Sequence, residues 1–594
     1  MTAICRAVLS RQLEAPLIGR SCLLLTTSYT NRSHVCDSYP APGRRQWSSS
    51  LFRIAQSDSS YNEDALYRFT SGRWLWGERQ QLAARYVKFD MPKLLRLAAS
   101  VVGSNSCVQV VKISEGQYNK VFLLTINDGR EVIAKLPNPN AGRPHFTTAS
   151  EVATMNFLRN VLHLAIPRIY TWNSSLSDNP IGAEYILMEK QSGVMLNNVW
   201  DDMDGSQKAE ILKQVVGIEK ILASTRFTKF GGLYYKHDLP QSDSTTPLFV
   251  DRNGHEVHSA EFEIGPTNHR SFFDFGKGAL EIDRGPWSTL EEYVAAVANR
   301  EIACIEKGLR YPGMPEGLFY GPRHTSTKLS ALNKYLKVAP YVLPEEEATH
   351  ASVLWHDDLH TQNFFVDSDS PTRIVGIIDW QSVSASPLFM QVTRPGFLDF
   401  NGPIPEELGK VSLPDNFDTL SPGEQREAKA LHQAQTLHNL YMARSYQQNP
   451  EAFLAMQQKG SLRHQVTVVP STVLMDYEPY LNHLLREVEK EWPNIMGPGP
   501  DGLPLVPCPL HFPAAEIEQQ EKDEELWAQG LQLMDAFISD TGSFKHWDGR
   551  VSNEDYETLK DQLASGIERF LDREARNAEE RAAWLKALPF VDHD

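Results

Sequence analysis

Val353-Leu354-Trp355-His356-Asp357-Asp358-Leu359-His360-Thr361-Gln362-Asn363-Phe364-Phe365-Val366 reads as a strand, a polar loop and a second strand. A turn follows at residues 368–373, and a third apolar run, Ile374–Ile378, ends at Asp379-Trp380. A carboxylate and an amide on one short loop, Asp358 and Asn363, can face a single ligand, and a hairpin brings Asp379 back to the same point. Phosphoryl transfer asks a protein for this equipment: ligands for the metal ions that bridge the phosphates, and a carboxylate that orients the acceptor hydroxyl. Mg²⁺ favours such oxygen donors and keeps several waters. The expected roles follow. Asp358 positions the acceptor hydroxyl and is placed to deprotonate it, Asn363 and Asp379 hold Mg²⁺, and His356 and His360 support the loop backbone. The bland alternative is a polar surface loop between two strands. The complete set, bracketed by apolar strands, argues against it.

A phosphotransferase also needs a cation on the nucleotide phosphates and a carboxylate to hold that cation. Lys135 closes the strand Val132-Ile133-Ala134-Lys135, and Glu151 lies on the helix that follows. Glu151 has a second reading, as the last member of a capping box Thr148-Ala149-Ser150-Glu151, and the two roles are compatible. The loop expected over the phosphates is Ser114–Lys120, with Gly116 and Asn119 as its candidate contacts. Its single glycine makes it a weak motif, and an ordinary hairpin turn is the competing reading. Its place between two strands is the better support, because backbone N–H groups of such a turn can meet phosphate oxygens. The connector after Tyr185-Ile186-Leu187-Met188 should meet the adenine, with Met188 against the base and backbone groups near Glu189 and Lys190 at its edge.

Around these segments the pattern predicts an α+β, two-lobed chain. Strands are expected at 107–113, 121–126 and 130–136, the last two joined by the hairpin signal Asn127-Asp128-Gly129. A short helix at 91–102, a main helix at about 148–160 and strands at 168–172 and 185–189 complete an antiparallel N-lobe over 60–190. Residues 191–496 read as a mostly helical C-lobe, with helices at 206–223, 288–307, 422–447 and 475–491 and an irregular insertion at 236–286. A Gly/Pro-rich linker at 497–513 leads to helices at 514–538 and 553–586, expected to pack on the C-lobe, the second opened by a Ser552/Asp555 capping box.

The 594 residues exceed one hydrophobic core. Residues 1–56 hold seven Arg, no Lys and only Glu14 and Asp37 as acids, a net of +5 that leaves −22 for the rest. Arg-rich, Ser-rich, acid-poor sequence of this kind has the composition of a mitochondrial transit peptide, assigned to residues 1–50. The acidic body repels a nucleic-acid backbone but tolerates a nucleotide held by local Lys and metal. No apolar run approaches the roughly 18–20 residues a membrane span requires. The six cysteines form no CxxC pair.

His356-Asp357-Asp358-Leu359-His360-Thr361-Gln362-Asn363 resembles the H-G-D-L-H-x-x-N loop of the aminoglycoside phosphotransferase and choline kinase superfamily, and Ile377-Ile378-Asp379-Trp380-Gln381 is similar to its I-D-W-E metal segment. The resemblance implies a bilobal protein-kinase-like fold, ATP and Mg²⁺ as cofactors, and a small-molecule acceptor. Protein kinases carry H-R-D and D-F-G instead, and no A-P-E segment follows Asp379. Tyr67–Leu75, Phe230-Gly231-Gly232-Leu233-Tyr234 and Ile264-Gly265-Pro266-Thr267 are similar to segments of the fungal altered-inheritance-of-mitochondria phosphotransferase-like proteins. That likeness, over roughly residues 60–590, implies a mitochondrial protein with an unassigned acceptor.

His255-Glu256-Val257-His258 is one residue short of a zincin helix motif and is read as a loop. No P-loop and no G-x-S-x-G elbow is present. Three functional readings stand: an active kinase of a small-molecule hydroxyl, a pseudokinase scaffold that binds nucleotide in mitochondria, and a related transfer such as that of AMP.

Overall fold

A computed structural model of the chain describes residues 64–175, 178–240, 245–310, 324–405, 407–499, 501–541, 549–588 and 591. The expected leader at 1–50, with Cys5, Cys22 and Cys36, lies outside the described residues.

The fold is bilobal, sheet-rich first and largely helical after. Five antiparallel strands form the N-lobe sheet: β1 Cys107–Glu115, β2 Asn119–Ile126, β3 Glu131–Pro137, β4 Ile169–Asn173 and β5 Tyr185–Glu189, in the order β1-β2-β3-β5-β4. Alternation along β2 and β3 sets the two faces. Phe122, Leu124, Ile126, Val132, Ala134 and Leu136 share a core with Met91, Leu94 and Ala98 of helix α1 (Met91–Val101). The odd positions of β3, Ile133 and Lys135, turn to the other face, where helix α2 (Phe146–Asn160) packs through Val152, Met155 and Leu158. Period two in the strand thus points Lys135 at α2 with no special device.

Helix α2 begins before the expected Thr148. Its N-cap His145 sits at φ 66 and offers no side-chain cap. Glu184, remote in sequence, accepts from the His145 amide at 2.7 Å and from the Thr148 hydroxyl. An anion there suits the positive end of a helix dipole.

Short strands β6 (Val194–Met195), β7 (Gly232–Tyr235) and β8 (Phe262–Gly265) follow the connector. Strands β9 (Phe364–Val366) and β10 (Ile374–Ile377) form the predicted hairpin, with β6 on its edge. The longer C-lobe helices are α3 Gly205–Ala223, α4 Leu290–Glu306, α5 Thr325–Val338, α6 Pro422–Gln448 and α7 Glu478–Met496. Helices α3, α4 and α6 start at complete capping boxes, Asp204/Gln207, Thr289/Glu292 and Ser421/Glu424, which fixes where each begins. The insertion carries strands: β8 pairs β7 just before it, and 249–250 pairs 256–257. Glu256 and Val257 therefore lie in a strand, and among the described residues no cluster of metal-binding side chains occurs. No helix of the described residues is long and apolar enough to cross a membrane.

Helix α8 (Ala514–Thr541) packs on α7 of the C-lobe, where Tyr480 stacks on Trp527 at 5.9 Å and Arg486 bonds Gln520 at 2.8 Å. Helix α9 (Tyr556–Glu574) lies against α8 through Phe537 and Phe570, and α10 (Ala578–Ala587) follows. The same extension reaches the N-lobe. Arg550–Val551 pairs antiparallel with Arg73–Trp74, the Arg73 guanidinium sits 3.5 Å from the Tyr556 ring, and Asn553 bonds the Thr70 carbonyl at 3.0 Å.

Candidate active site

Lys135 joins the two lobes, bonding Glu151 of α2 and Asp379 beyond β10. Its Nζ lies 2.6 Å from Glu151 Oε1 and 2.9 Å from Asp379 Oδ1. Lys135 and Glu151 side chains are almost fully buried, while that of Asp379 keeps 30% of its exposure. Burial opposes the ammonium charge, but Asp379 and Glu151 together outweigh it and hold Lys135 protonated above its ordinary range. Glu151 is thus an ion-pair partner in the interior of α2. The helix starts upstream of it, so the capping-box reading does not hold at this residue.

Asp379 occupies the left-handed region at φ 66, an uncommon conformation for a non-glycine residue that sites tend to hold under constraint. The constraint is visible on both sides. Ile378 N donates to the Asn363 carbonyl at 3.0 Å, and His356 Nε2 meets the Ile378 carbonyl at 3.0 Å. His356 Nδ1 accepts from the Asp358 amide at 3.3 Å, so Nε2 carries the proton. Burial lowers the His356 pKa and favours that neutral ring, which packs edge-on to Trp380 at 4.6 Å. One imidazole therefore splints the loop holding Asp358 to the strand that delivers Asp379.

Asn363 donates its amide nitrogen to the Asp358 carbonyl at 2.9 Å, with His360 Nε2 at 3.4 Å. The nitrogen is used by the loop, which leaves the side-chain oxygen as the end suited to a hard cation. His360 Nδ1 accepts from the Gln362 amide at 3.2 Å, and Nε2 lies 3.6 Å from Asp358 Oδ2. Asp357 stands where the resembling motif has glycine. Burial pushes its carboxyl up to about 6, with nearby Asp379 adding to the shift.

On the phosphate side, Gly116 N bonds the Asn119 carbonyl at 3.0 Å and closes a tight turn, and a Cβ at Gly116 would meet open space. Asn119 forms a reciprocal amide pair with Gln381, both bonds 3.0 Å. Gln381 ends the Ile377–Gln381 segment but was not among the residues expected at the site, and nothing local in the sequence announces its pairing with Asn119. The connector behaves likewise. Gln191 Nε2 donates to the Val375 carbonyl at 2.7 Å and lies over Gly376, where a Cβ would come within 2.1 Å of its side chain. Met188 is buried opposite Ile133. Glu189 N instead donates to the Arg168 carbonyl at 2.8 Å, and its carboxylate accepts from the Arg168 amide at 3.0 Å. That backbone N–H is committed to the sheet edge and is not offered to a base.

The residues brought together are Lys135, Glu151 and Asp379, joined by backbone and imidazole bonds to the loop of His356, Asp358, His360 and Asn363, with Asn119 across from Gln381. A two-lobed chain with this arrangement between its lobes has a kinase-like fold, and the phosphotransferase enzyme family matches residues 109–393. The chain belongs to that family. A subtelomeric hrmA-associated cluster protein of Aspergillus fumigatus is 31% identical over 72% of this chain and 86% of its own length. Altered inheritance of mitochondria protein 9, mitochondrial, of Yarrowia lipolytica is 24% identical over 83% of this chain and 86% of its own. The streptomycin–ATP–APH(2″)-IIa ternary complex aligns at 12% identity with a TM-score of 0.30, over 67% of this chain and 95% of that one, a likeness that carries no functional weight.

Proposed function

We propose that the protein transfers the γ-phosphoryl group of ATP to a hydroxyl of a small-molecule acceptor, with Mg²⁺, in mitochondria. The observation that carries this reading is the position of Lys135 between Glu151 and Asp379, with Asp379 tied through Ile378 to the Asp358–Asn363 loop. Asp358 orients the acceptor hydroxyl and takes its proton as the oxygen bonds the γ-phosphorus and the bond to the β-phosphate oxygen breaks. Lys135, held by Glu151, meets the non-transferred phosphates. The side-chain oxygens of Asn363 and Asp379 would hold Mg²⁺, which when bound neutralises charge on the phosphates. Two such donors suit an ion that completes its shell with waters and substrate oxygens. The mitochondrial assignment draws on the basic N-terminal composition and on relatives whose names carry that location.

The scaffold reading has one observation in its favour: the loop at 114–120 carries a single glycine, Gly116. Transfer of label from [γ-³²P]ATP into a mitochondrial metabolite extract, native protein against Asp379→Ala, separates the two. Label entering a metabolite with native protein alone is expected. No transfer and no Mg²⁺-dependent nucleotide binding by native protein would leave the scaffold.

A further inference from the structure

Residues 264–274, in the C-lobe insertion, reach the N-lobe turn at 114–120. The Arg270 guanidinium lies 3.3 Å from the centroid of the Tyr118 ring, in the turn of the Ser114–Lys120 loop. Arg270 is itself fixed by two bonds to Asp274, at 3.1 and 3.2 Å, and reaches the Ala141 carbonyl at 3.5 Å. Its segment is anchored beside the metal strand. Asn268 Oδ1 accepts from the Ser384 hydroxyl at 2.6 Å, and the Thr267 hydroxyl lies 3.4 Å from it. Ser271 holds the other end through Arg300 of α4 at 3.0 Å.

The loop has one glycine and is held by neighbours on several sides. Tyr118 offers its carbonyl to the Asn138 amide at 2.7 Å, and the buried Lys120 bonds Asn138 Oδ1 at 2.8 Å. Asn119 is paired with Gln381. Adjacent residues 118 and 119 are thus tied to two segments that converge on residues 379–384. In a turn that binds phosphate, affinity depends on where its backbone N–H groups point, and here that direction is set by side chains instead of by glycine mobility and ligand.

We propose that residues 264–274 form a clasp that pre-orders the phosphate loop, with Arg270 as its positioning residue through Tyr118. The inference rests on the nucleotide reading above for its purpose, but not for its test.

Amide exchange in residues 114–120 is measured on the full chain without nucleotide, for native protein, Arg270→Ala, Tyr118→Leu and the double variant. The Tyr118→Leu chain retains every Arg270 hydrogen bond, so it guards against a general folding defect in Arg270→Ala. Each single variant should speed exchange in the loop about tenfold while amides of α4 stay as in native protein. Mg·ATP affinity, read by calorimetry, should fall about threefold to thirtyfold, the span of a partly desolvated cation–π contact. The double variant should match the weaker single, because the two residues act as one. Unchanged loop exchange in both single variants, or effects that multiply in the double, would overturn the clasp. Native protein with no affinity for Mg·ATP overturns the proposed function alone, and loop exchange still decides whether Arg270 orders the turn.

Discussion

Replacing Lys135 by Met tests whether the cleft is held by its charges or merely contains them. The ammonium is nearly buried and contacts two carboxylates, Glu151 at 2.6 Å and Asp379 at 2.9 Å. Removing it leaves the Glu151 carboxylate, at 2% side-chain exposure, with no counter-charge. Breaking a buried pair from one side costs about 3–5 kcal/mol. Asp379 adds little to that cost, because its more exposed carboxylate can turn to water. Replacing both members of a buried pair by apolar groups of similar size is often close to neutral. Lys135→Met should therefore lose about 3–5 kcal/mol, read from urea unfolding followed by tryptophan fluorescence, and Lys135→Met/Glu151→Leu should regain most of it. Neither variant should bind Mg·ATP, so stability and function part in the double variant. A single variant within about 1 kcal/mol of native protein, or a double variant no better than the single, would refute the view that this pair is a buried, mutually dependent charge couple.

Asp358→Asn should lower turnover by about 10²–10⁴-fold with Mg·ATP affinity kept, since a positioned base contributes on that order; near-native turnover in single-turnover assays removes Asp358 from the role. Glu219, buried in α3 and bonded by the Tyr441 hydroxyl at 2.9 Å, has its carboxyl pushed by burial from 4.5 up to about 8. The folded state thus holds a proton that the unfolded chain releases, so this contribution is complete below pH 4.5 and is lost as pH rises through about 8. Unfolding midpoints at pH 6 and 8 should fall for native protein and much less for Glu219→Gln, and equal pH dependence counts against it. Gly193, at φ +87, leaves no room for a methyl group, which would sit 2.1 Å from the Val366 carbonyl oxygen. Gly193→Ala should cost stability beyond the roughly 1 kcal/mol of a positive φ alone, and a thermal midpoint equal to native would show that the connector relaxes freely.

Local chemistry made much of this molecule readable. Helix α6 announces itself by Ser421-Pro422 and Glu424, and the chemistry-bearing hairpin by apolar runs around a polar loop. Helix α5 was missed. It opens on Thr325-Ser326-Thr327, residues that favour caps and turns, and has no side-chain cap. The expected helix over 553–586 is two, because Asn577 caps a second one at Glu580, and the Ser552/Asp555 bonds fall just ahead of Tyr556, where α9 begins. At the site, Lys135, Glu151 and Asp379 were legible because each ends or occupies an element with a clear period. The contacts of Gln381, Gln191 and Arg270 were not. Their partners Asn119, Val375 and Tyr118 lie far away in sequence, and no periodicity records a pairing between distant loops.

The way the chain ends bears on how the cleft can breathe. Helix α8 is rooted on α7 through Tyr480 and Trp527, while the strand at Arg550–Val551 is zipped to Arg73–Trp74 and Asn553 holds Thr70, whose amide bonds Glu115 at 2.7 Å, one residue before Gly116. A hinge at the 190s connector therefore does not swing alone. Residues 514–541 and 549–588 act as an outrigger across it, and any opening stroke has to bend that brace or unzip its far end, next to the turn that would receive the phosphates.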